Sequence, residues 1–233
     1  MSQPAGRVAV IVPAAGFGQR LGGGTPKALR LLQGRSLLDW AVTAMAAHPA
    51  VVQVVLAVPP QAVAQVSESL PDVAAEVRVV SGATSRQASV AVALAAADAS
   101  CDIVLVHDAA RPLVPLALVE RVIDALTEGA AAVVPGLPVV DTIKRIDAAG
   151  FVVETPARRL LRAVQTPQGF RREVLIAAHR QAPDTESATD DAVLAEQAGF
   201  PVLVVPGDPA AMKITTTDDF DRAERLLAAM EHR

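Results

Sequence analysis

Short apolar runs alternate with segments of helical periodicity along most of the chain. Val8–Val12 and Ile103–Val106 are uninterrupted apolar runs, a pattern typical of strands buried on both faces of a sheet. In Ser36–Ala47, apolar residues recur at helical spacing, and Ser36 is a suitable N-cap. The same alternation predicts further strands at Val51–Val58, Val77–Val80, Ala131–Val134 and Val202–Val205, and further helices at Gln61–Leu70, Arg86–Ala97, Leu116–Glu128 and Asp218–Met230.

This alternation predicts an α/β fold with a mostly parallel, Rossmann-like sheet and helices on both faces, because parallel strands need helical crossovers between them. With no repeat or linker, we expect one domain over residues 1–233. Ligands of such sheets bind outside the carboxyl ends of the strands. The polar segments after Val12, Val80 and Val106 are therefore the first places to look for a site.

One region departs from the alternation and predicts a protruding β-hairpin arm over about residues 137–160. Val139–Ile146 and Phe151–Thr155 are β-rich runs joined by a turn that ends at Gly150. The runs are too polar for core strands, and an isolated hairpin is only marginally stable in water. Two interpretations stay open: the arm packs on a partner subunit, or it is an ordinary surface excursion of the sheet.

Composition narrows the classes of protein. The chain has 233 residues, 52% of them hydrophobic, which indicates a folded protein with a substantial core. Its formal net charge of −4 argues against a general nucleic-acid binder. No apolar run reaches membrane-spanning length, and residues 1–7 do not read as a signal peptide. Cys101 is the only cysteine, which favours a reducing compartment, and we expect a cytoplasmic protein without membrane contact.

The loop after the first strand has the composition of an anion-binding loop. Its glycines offer backbone N–H groups, and Arg20 and Lys27 add positive charge. A dinucleotide fingerprint beginning at Gly16 would need a third glycine where Leu21 stands, and a P-loop would need glycine directly before Lys27. The loop is therefore a phosphate loop of a different design, suited to a nucleoside triphosphate.

Asp108 follows the buried strand Ile103–Val106 and is a candidate ligand for Mg²⁺ held against phosphates. The alternative is that Asp108 caps the next turn and pairs with Arg111. We expect the adjacent His107 to be structural, because no nucleophile lies near it in sequence and the motifs of common hydrolases are absent.

The segment Ser81–Ser89 has a similar pair of interpretations. Its small residues could lie beside a base and ribose, with Ser89 facing the ligand, or Thr84 or Ser85 could simply cap the following helix. Further candidates are dispersed along the second half of the chain, and most surface cations of this kind are solvated. They are Arg158, Arg162, Gln165–Phe170, Thr189–Asp191 and Lys213.

Taken in order, these motifs resemble the 2-C-methyl-D-erythritol 4-phosphate cytidylyltransferase family over nearly the whole chain. The first loop is shared with many nucleotidyltransferases, and the later motifs narrow the resemblance to this family. The motifs are Pro13-Ala14-Ala15-Gly16-x-Gly18-x-Arg20, Pro26-Lys27, His107-Asp108-Ala109-Ala110-Arg111-Pro112, Asp141-Thr142-Ile143-Lys144, Gln165-Thr166-Pro167-Gln168, Thr189-Asp190-Asp191 and Lys213-Ile214-Thr215.

The resemblance implies transfer of a cytidylyl group from CTP to methylerythritol phosphate with Mg²⁺, in a homodimer that exchanges its arms. Arg20 and Lys27 would stabilise the charge that develops on the phosphates, and Asp108 would ligate Mg²⁺. The resemblance also assigns two sets of binding residues. The CTP pocket would comprise Pro13, Ala14, Ala15, Gly16, Gly82, Ser89, Asp108 and Ala109, and the methylerythritol phosphate site would comprise Thr142, Arg158, Thr166, Thr189 and Lys213.

Family members commonly carry glycine where this chain has Ala83, a departure that bears on contacts to the base. Two alternative functions stay open. One is another polyol- or sugar-phosphate nucleotidyltransferase, such as a ribitol-phosphate cytidylyltransferase. The other is a non-catalytic nucleotide-binding protein, against which the joint presence of Arg20, Lys27 and Asp108 argues.

Overall fold

The apolar run at the start of the chain forms the central strand of a mixed sheet. The computed structural model describes residues 6–16, 26–182 and 190–231. Arg20 and Thr189, both singled out above, lie outside the described residues. The strands are β1 (Val8–Pro13), β2 (Leu31–Leu32), β3 (Arg35–Ser36), β4 (Val51–Val58), β5 (Glu76–Ser81), β6 (Ile103–Val106), β7 (Ala132–Pro138), β8 (Arg145–Ile146), β9 (Val152–Glu154), β10 (Arg162–Val164), β11 (Gln168–Arg171) and β12 (Val202–Pro206).

The α-helices fill the intervals between these strands. Ser36 caps the first helix as predicted, because its hydroxyl accepts a hydrogen bond from the Asp39 backbone N–H at 3.0 Å. The helices are α1 (Leu37–Ala46), α2 (Val63–Glu68), α3 (Arg86–Ala96), α4 (Leu116–Thr127), α5 (Arg172–Gln181), α6 (Asp191–Gln197) and α7 (Thr217–Glu231). Within the ranges described, no helix combines the length and the hydropathy that a membrane crossing requires.

Among the described residues the main sheet has eight strands, ordered β10-β7-β11-β6-β1-β4-β5, with β12 paired to β7. Strands β1, β4, β5 and β6 are parallel neighbours, and β12 is parallel to β7. The chain proceeds outward from β1 through β4 to β5 and then returns to the other side of β1 as β6. This reversal places a topological switch point between β1 and β6, where ligands of α/β sheets bind.

Alternate side chains of β1 point to opposite faces, so that both faces of the sheet are covered. Val8, Val10 and Val12 pack in one cluster with α1, α2 and α4, whereas Ala9 and Ile11 pack in the other with α3, α5 and α6. This arrangement explains why the strand sequence shows no polar alternation.

The sequence-based prediction missed the segment after the arm. Strands β10 and β11 and helices α5 and α6 were not predicted, and β11 enters the sheet antiparallel between β6 and β7. The four residues of β11, Gln168–Arg171, include polar residues and a glycine, so no apolar run marks them. The fold is still largely parallel, as predicted, with an antiparallel insertion.

The arm forms a hairpin, but its strands are shorter than predicted. Only Arg145–Ile146 pairs with Val152–Glu154, and residues 139–144 are not in a strand. The prediction of a continuous strand from Val139 to Ile146 was therefore wrong. Residues 140–144 are exposed and pair with no strand among the described residues, so their β-rich composition alone does not produce a ladder.

Gly169 tests the packing of the inserted strand β11 against α4. A Cβ at this position would lie 2.6 Å from Val122 Cγ1 and 2.7 Å from Leu126 Cδ1. We expect Gly169→Ala to lower the free energy of unfolding by ~1–3 kcal/mol, as overpacking does, measured by urea denaturation. Ala163→Val, at an exposed position of β10, is the control and should change it by less than ~0.5 kcal/mol. Equal stability of the two variants would contradict the tight packing of β11.

Candidate active site

Two adjoining cavities open at the carboxyl ends of β1, β5 and β6, and they share Pro13, Gly16 and Asp108. The first has a volume of about 210 Å³, and the second about 230 Å³. The first is also lined by Ala15, Ala83, Thr84, Ser85, Arg86 and Ser89, and the second by Ala14, Lys27, Ala28, Ala109, Ala110 and Lys213.

The loops that form the first cavity are held close to each other by the sheet. The Ala14 N–H donates to the Ala57 carbonyl at 2.7 Å, and the Gly82 N–H donates to the Val58 carbonyl at 2.7 Å. A Cβ on Gly82 would lie 2.6 Å from the Ala15 Cβ. Gly82 therefore permits the close approach of the two loops and does not itself line either cavity.

The start of α3 forms one wall of the first cavity. Ser85, and not Thr84, is the N-cap, because its hydroxyl accepts from the Ala88 N–H at 3.0 Å. The Ser89 hydroxyl donates to the Ser85 carbonyl at 2.8 Å and accepts from the Ala83 N–H at 3.0 Å. Ser89 thus both lines the cavity and fixes the loop before α3. The capping and the ligand-facing interpretations of this segment are compatible.

Asp108 lies between the two cavities and has cations on both sides. Its Oδ2 accepts a hydrogen bond from Lys213 Nζ at 2.7 Å, and its Oδ1 lies 3.8 Å from Arg86 Nη2. Burial acts to raise the pKa of Asp108, but the charges of Lys213 and Arg86 outweigh it and hold the pKa at about 2. Of the described side chains, Lys213 rather than Arg111 donates the hydrogen bond to this carboxylate, so the simple turn-cap interpretation does not describe it.

A buried hydrogen-bond chain beneath Asp108 fixes its backbone. The Asp108 N–H donates to Thr166 Oγ1 at 3.1 Å, and Thr166 Oγ1 lies 2.9 Å from His107 Nδ1. His107 Nε2 lies 3.1 Å from the Arg111 carbonyl, which can only accept. Nε2 therefore carries the proton and Nδ1 accepts from the Thr166 hydroxyl, so both ring nitrogens and this hydroxyl are paired.

The same hydrogen bonds require His107, which is fully buried, to be neutral. Burial lowers the pKa of His107 from 6.5 to about 4, even though the neighbouring Asp108 carboxylate acts to raise it. A neutral imidazole is required if Nδ1 is to accept from Thr166. His107 therefore has the structural role that we expected.

The segment that carries Lys213 is tied to the loop after β6. Arg111 Nη1 donates to the Ala211 carbonyl at 2.7 Å, and the Ile214 N–H donates to the Ala110 carbonyl at 2.8 Å. Gln165 Nε2 adds a hydrogen bond to the Asp208 carbonyl at 2.8 Å. These contacts bring Lys213 to Asp108 across 105 positions of the sequence.

The structure brings together most of the residues predicted from the sequence, though not all. Thr166 is behind the cavities with its hydroxyl engaged, and Thr142 and Arg158 are exposed on the arm and line neither cavity. Their roles in substrate binding stay predictions, as do those of Arg20 and Thr189, outside the described residues. The predicted residues that line the cavities are Pro13, Ala14, Ala15, Gly16, Lys27, Ser89, Asp108, Ala109 and Lys213.

Sequence reasoning missed the side chain of Arg86, which lines the first cavity. Its Nη1 lies 2.7 Å from Asp191 Oδ2, a buried carboxylate on α6. The available signal was position, because Arg86 directly follows an N-cap in the loop after a strand. A cation at the start of a helix interacts unfavourably with the helix dipole, so Arg86 does not stand there to stabilise the helix.

The carboxylate of Asp108 is a suitable ligand for Mg²⁺, but the described protein side chains do not by themselves form a complete metal site. Across the described ranges, no group of three or more His, Cys, Asp or Glu side chains is arranged to hold a metal. Mg²⁺ commonly uses one or two carboxylates together with water and substrate phosphates. Asp108 Oδ1 lies 3.8 Å from Arg86 Nη2, beyond hydrogen-bond distance, and is the oxygen available for such a cation.

Comparison with known proteins gives one consistent family. Residues 8–229 match the family model described as IspD, 2-C-methyl-D-erythritol 4-phosphate cytidylyltransferase. Curated proteins of that name are similar to this chain. The protein from Frankia casuarinae is 51% identical over 95% of this chain and 82% of its own length, and that from Streptomyces avermitilis is 50% identical over 95% and 92%.

Solved structures agree with this comparison. A 4-diphosphocytidyl-2C-methyl-D-erythritol synthase from Anaerococcus prevotii superposes with a TM-score of 0.85 at 28% identity, covering 97% of this chain and 100% of that one. The 2-C-methyl-D-erythritol 4-phosphate cytidylyltransferase from Thermus thermophilus has a TM-score of 0.75 at 37% identity, covering 95% and 99%.

The neutral state of His107 predicts how the ring titrates. We expect its imidazole to protonate with a midpoint near pH 4. NMR of the ring carbons measures this titration, and the signal is assigned by its loss in His107→Asn. Because the unfolded chain binds this proton more readily, the free energy of unfolding should decrease as the pH falls from about 6.5 to about 4. A ring that titrates near its ordinary pKa would contradict the buried hydrogen-bond network of His107 and Thr166.

Proposed function

This chain belongs to the 2-C-methyl-D-erythritol 4-phosphate cytidylyltransferase family, and from that premise we propose how its side chains carry out the reaction. The enzyme transfers a cytidylyl group from CTP to 2-C-methyl-D-erythritol 4-phosphate. The products are 4-diphosphocytidyl-2-C-methyl-D-erythritol and pyrophosphate, in the non-mevalonate route to isoprenoid precursors. The roles of individual residues, the metal, the dimer and the cytoplasmic location are the proposal.

The position of Asp108 at the junction of the two cavities is the observation that carries the assignment. The cavity beside Ser89 has mostly small residues on its walls, which suit a base and ribose, together with Arg86 and Asp108. The cavity beside Lys27 and Lys213 has two cations on its wall, against the single Arg86 of the first cavity, which suits phosphates. We place CTP across both, with its triphosphate passing Asp108.

The reaction brings two anions together, so fixed positive charge is the main contribution that the protein makes. An oxygen of the acceptor phosphate attacks the α-phosphorus of CTP in line, the bond between the α-phosphorus and the bridging oxygen breaks, and pyrophosphate leaves with that electron pair. In the proposed mechanism Lys27 and Arg20 stabilise the charge on the α-phosphate and the leaving group. Lys213 holds the acceptor phosphate beside them. Preorganised cations act without reorganising at the moment of attack.

We propose that Asp108 binds Mg²⁺ together with the triphosphate. When bound, the ion offsets negative charge on the phosphate oxygens. The low pKa of Asp108, about 2, supports this role because it keeps the carboxylate ionised at any physiological pH. Lys213 and Arg86 hold the carboxylate at the edge of the cavities through contacts that do not require the ion.

We also propose a homodimer in which the arm of one subunit reaches the acceptor site of the other. Apolar side chains on and beside the arm are unusually exposed for a folded protein: Val140 is 81%, Phe151 72% and Leu160 70% exposed. Thr142 and Arg158 flank the hairpin, and Arg158 Nη1 donates to the Val140 carbonyl. In this arrangement both would contact methylerythritol phosphate in the partner's site.

A cytoplasmic location completes the proposal. Cys101, the only cysteine of the sequence, is a buried free thiol, which suits a reducing compartment. Fractionation of the native host, with immunodetection of the enzyme, tests this location directly.

Pyrophosphate release across a panel of nucleotides and acceptors tests the chemistry. The wild-type enzyme should prefer CTP over UTP and GTP, and methylerythritol phosphate over ribitol phosphate. Lys27→Ala should lower kcat by at least ~10²-fold, as loss of one preorganised donor does. Arg225→Ala, an exposed cation on α7, is the matched control and should retain the wild-type rate. A Lys27→Ala enzyme with wild-type turnover would refute the role of Lys27.

Mixed dimers test arm exchange. A heterodimer of Lys27→Ala and Arg158→Ala subunits would contain one intact site, and should show about half of the wild-type activity per dimer, as two-fold symmetry requires. A heterodimer of wild-type and doubly substituted subunits would contain no intact site. If Arg158 acted within its own subunit, the second heterodimer would be the active one, and arm exchange would be wrong.

A further inference from the structure

Arg86 connects two carboxylates that are far apart in sequence. Its Nη1 lies 2.7 Å from Asp191 Oδ2, and its Nη2 lies 3.8 Å from Asp108 Oδ1. The Arg86 side chain is 33% exposed and forms part of the wall of the first cavity. The planar, forked guanidinium can direct one amino group to each carboxylate, which a lysine ammonium cannot do equally well.

Asp191 is the inner anchor of this arrangement. Its side chain is only 1% exposed, and it has a partner at each oxygen: Arg86 at Oδ2 and His179 Nε2 at Oδ1, 3.0 Å away. A buried carboxylate without paired partners is strongly destabilising, so the position of Asp191 and that of Arg86 depend on each other. Burial acts to raise the pKa of Asp191, but the His179 hydrogen bond and the Arg86 charge lower it overall.

We propose that Asp191 is a positioning residue for the cytidylyltransferase reaction, which holds the Arg86 guanidinium on the cavity wall beside Asp108 so that it meets the nucleotide. Asp191 does not reach the cavity, and acts only through Arg86. This inference rests on the proposed placement of CTP in the cavities at Asp108. It adds Arg86 to the cations that receive the nucleotide.

The charge balance of the site gives the reason for such an anchor. The cations Lys27, Arg86, Arg111 and Lys213 surround the cavities or Asp108, against the carboxylates of Asp108, Asp190 and Asp191. An arginine on a cavity wall without a fixed partner would sample many rotamers, and ordering it when the nucleotide binds would cost conformational entropy. Pairing with a buried carboxylate fixes Arg86 in advance, while the surplus of cations leaves the site attractive to a triphosphate.

Arg86 also differs from the other cations in the cavity that it lines. Arg86 lines the cavity that we assign to the nucleoside end, whereas Lys27 and Lys213 line the other. Disturbing Arg86 should therefore change the binding of CTP and leave that of the acceptor nearly unchanged. A residue that only stabilised the fold would not produce this asymmetry.

Steady-state kinetics of Asp191→Asn tests the proposal. The amide keeps the shape of the side chain and removes the charge that fixes Arg86. We expect the KM for CTP to rise about tenfold, with the KM for methylerythritol phosphate changed less than about twofold. Asp191→Glu, which restores the charge, should recover a KM for CTP within about threefold of wild type.

A double-mutant cycle then shows whether Asp191 acts through Arg86. Arg86→Gln should raise the KM for CTP at least as much as Asp191→Asn, and the double variant should be no worse than Arg86→Gln alone. Asp221→Asn is the matched control, because it makes the same change at an exposed position of α7. It should leave both KM values unchanged.

Several outcomes would overturn the proposal. They are an unchanged KM for CTP in folded Asp191→Asn, equal increases in both KM values, or additive effects in the cycle. If Asp191→Asn does not fold, Arg86→Lys decides, because it keeps the charge but cannot span both carboxylates; an unchanged KM for CTP would then be decisive against it. Failure of the cavity assignment itself is distinguishable, since in that case Lys27→Ala would retain wild-type turnover.

Discussion

The carboxylate of Asp108, held ionised at the switch point of the sheet, is the group on which the arrangement of the site depends. Lys213 and Arg86 approach its two oxygens at 2.7 and 3.8 Å, and its backbone N–H is bound by Thr166. These partners come from three distant segments, so that the position of one short carboxylate fixes the loops around it. In the low dielectric of a nearly buried site, each of these charges has a larger effect than it would have in water.

The support beneath Asp108 comes from the neutral state of His107. A protonated ring would have no acceptor for the Thr166 hydroxyl and would place an uncompensated charge in the core. Burial favours the neutral form of the ring, and the hydrogen bond to the Arg111 carbonyl places its proton on Nε2. Together these two effects fix the direction of the hydrogen bond between Thr166 and His107. Such a fully satisfied buried network gives the site a rigid floor.

The antiparallel insertion of β11 is what allows this floor to exist. A purely parallel sheet would follow β6 with another crossover, and Thr166 would have no route to the carboxyl end of β6. Because Gln168 of β11 instead pairs with Val106, the preceding residues Gln165 and Thr166 are delivered to His107 and Asp108. The departure from the regular α/β pattern is thus located where the site needs it, in accord with the general observation that local rules are broken at functional positions.

The sequence by itself determined the strands and helices with strong periodicity, the carboxyl-end loops that bear the site, and the family to which the motifs belong. Strand Val51–Val58 was predicted to the residue, because a run of eight residues, seven of them apolar, ends at two prolines. Only the tertiary structure decided that Lys213 and not Arg111 binds Asp108, that Thr166 lies beneath the site, and that Arg86 is anchored by Asp191. The physical reason is that these contacts join residues 58 to 105 positions apart. Hydrophobic periodicity reports only which face of an element is buried, and polar partners brought together by the packing of those faces leave no local pattern.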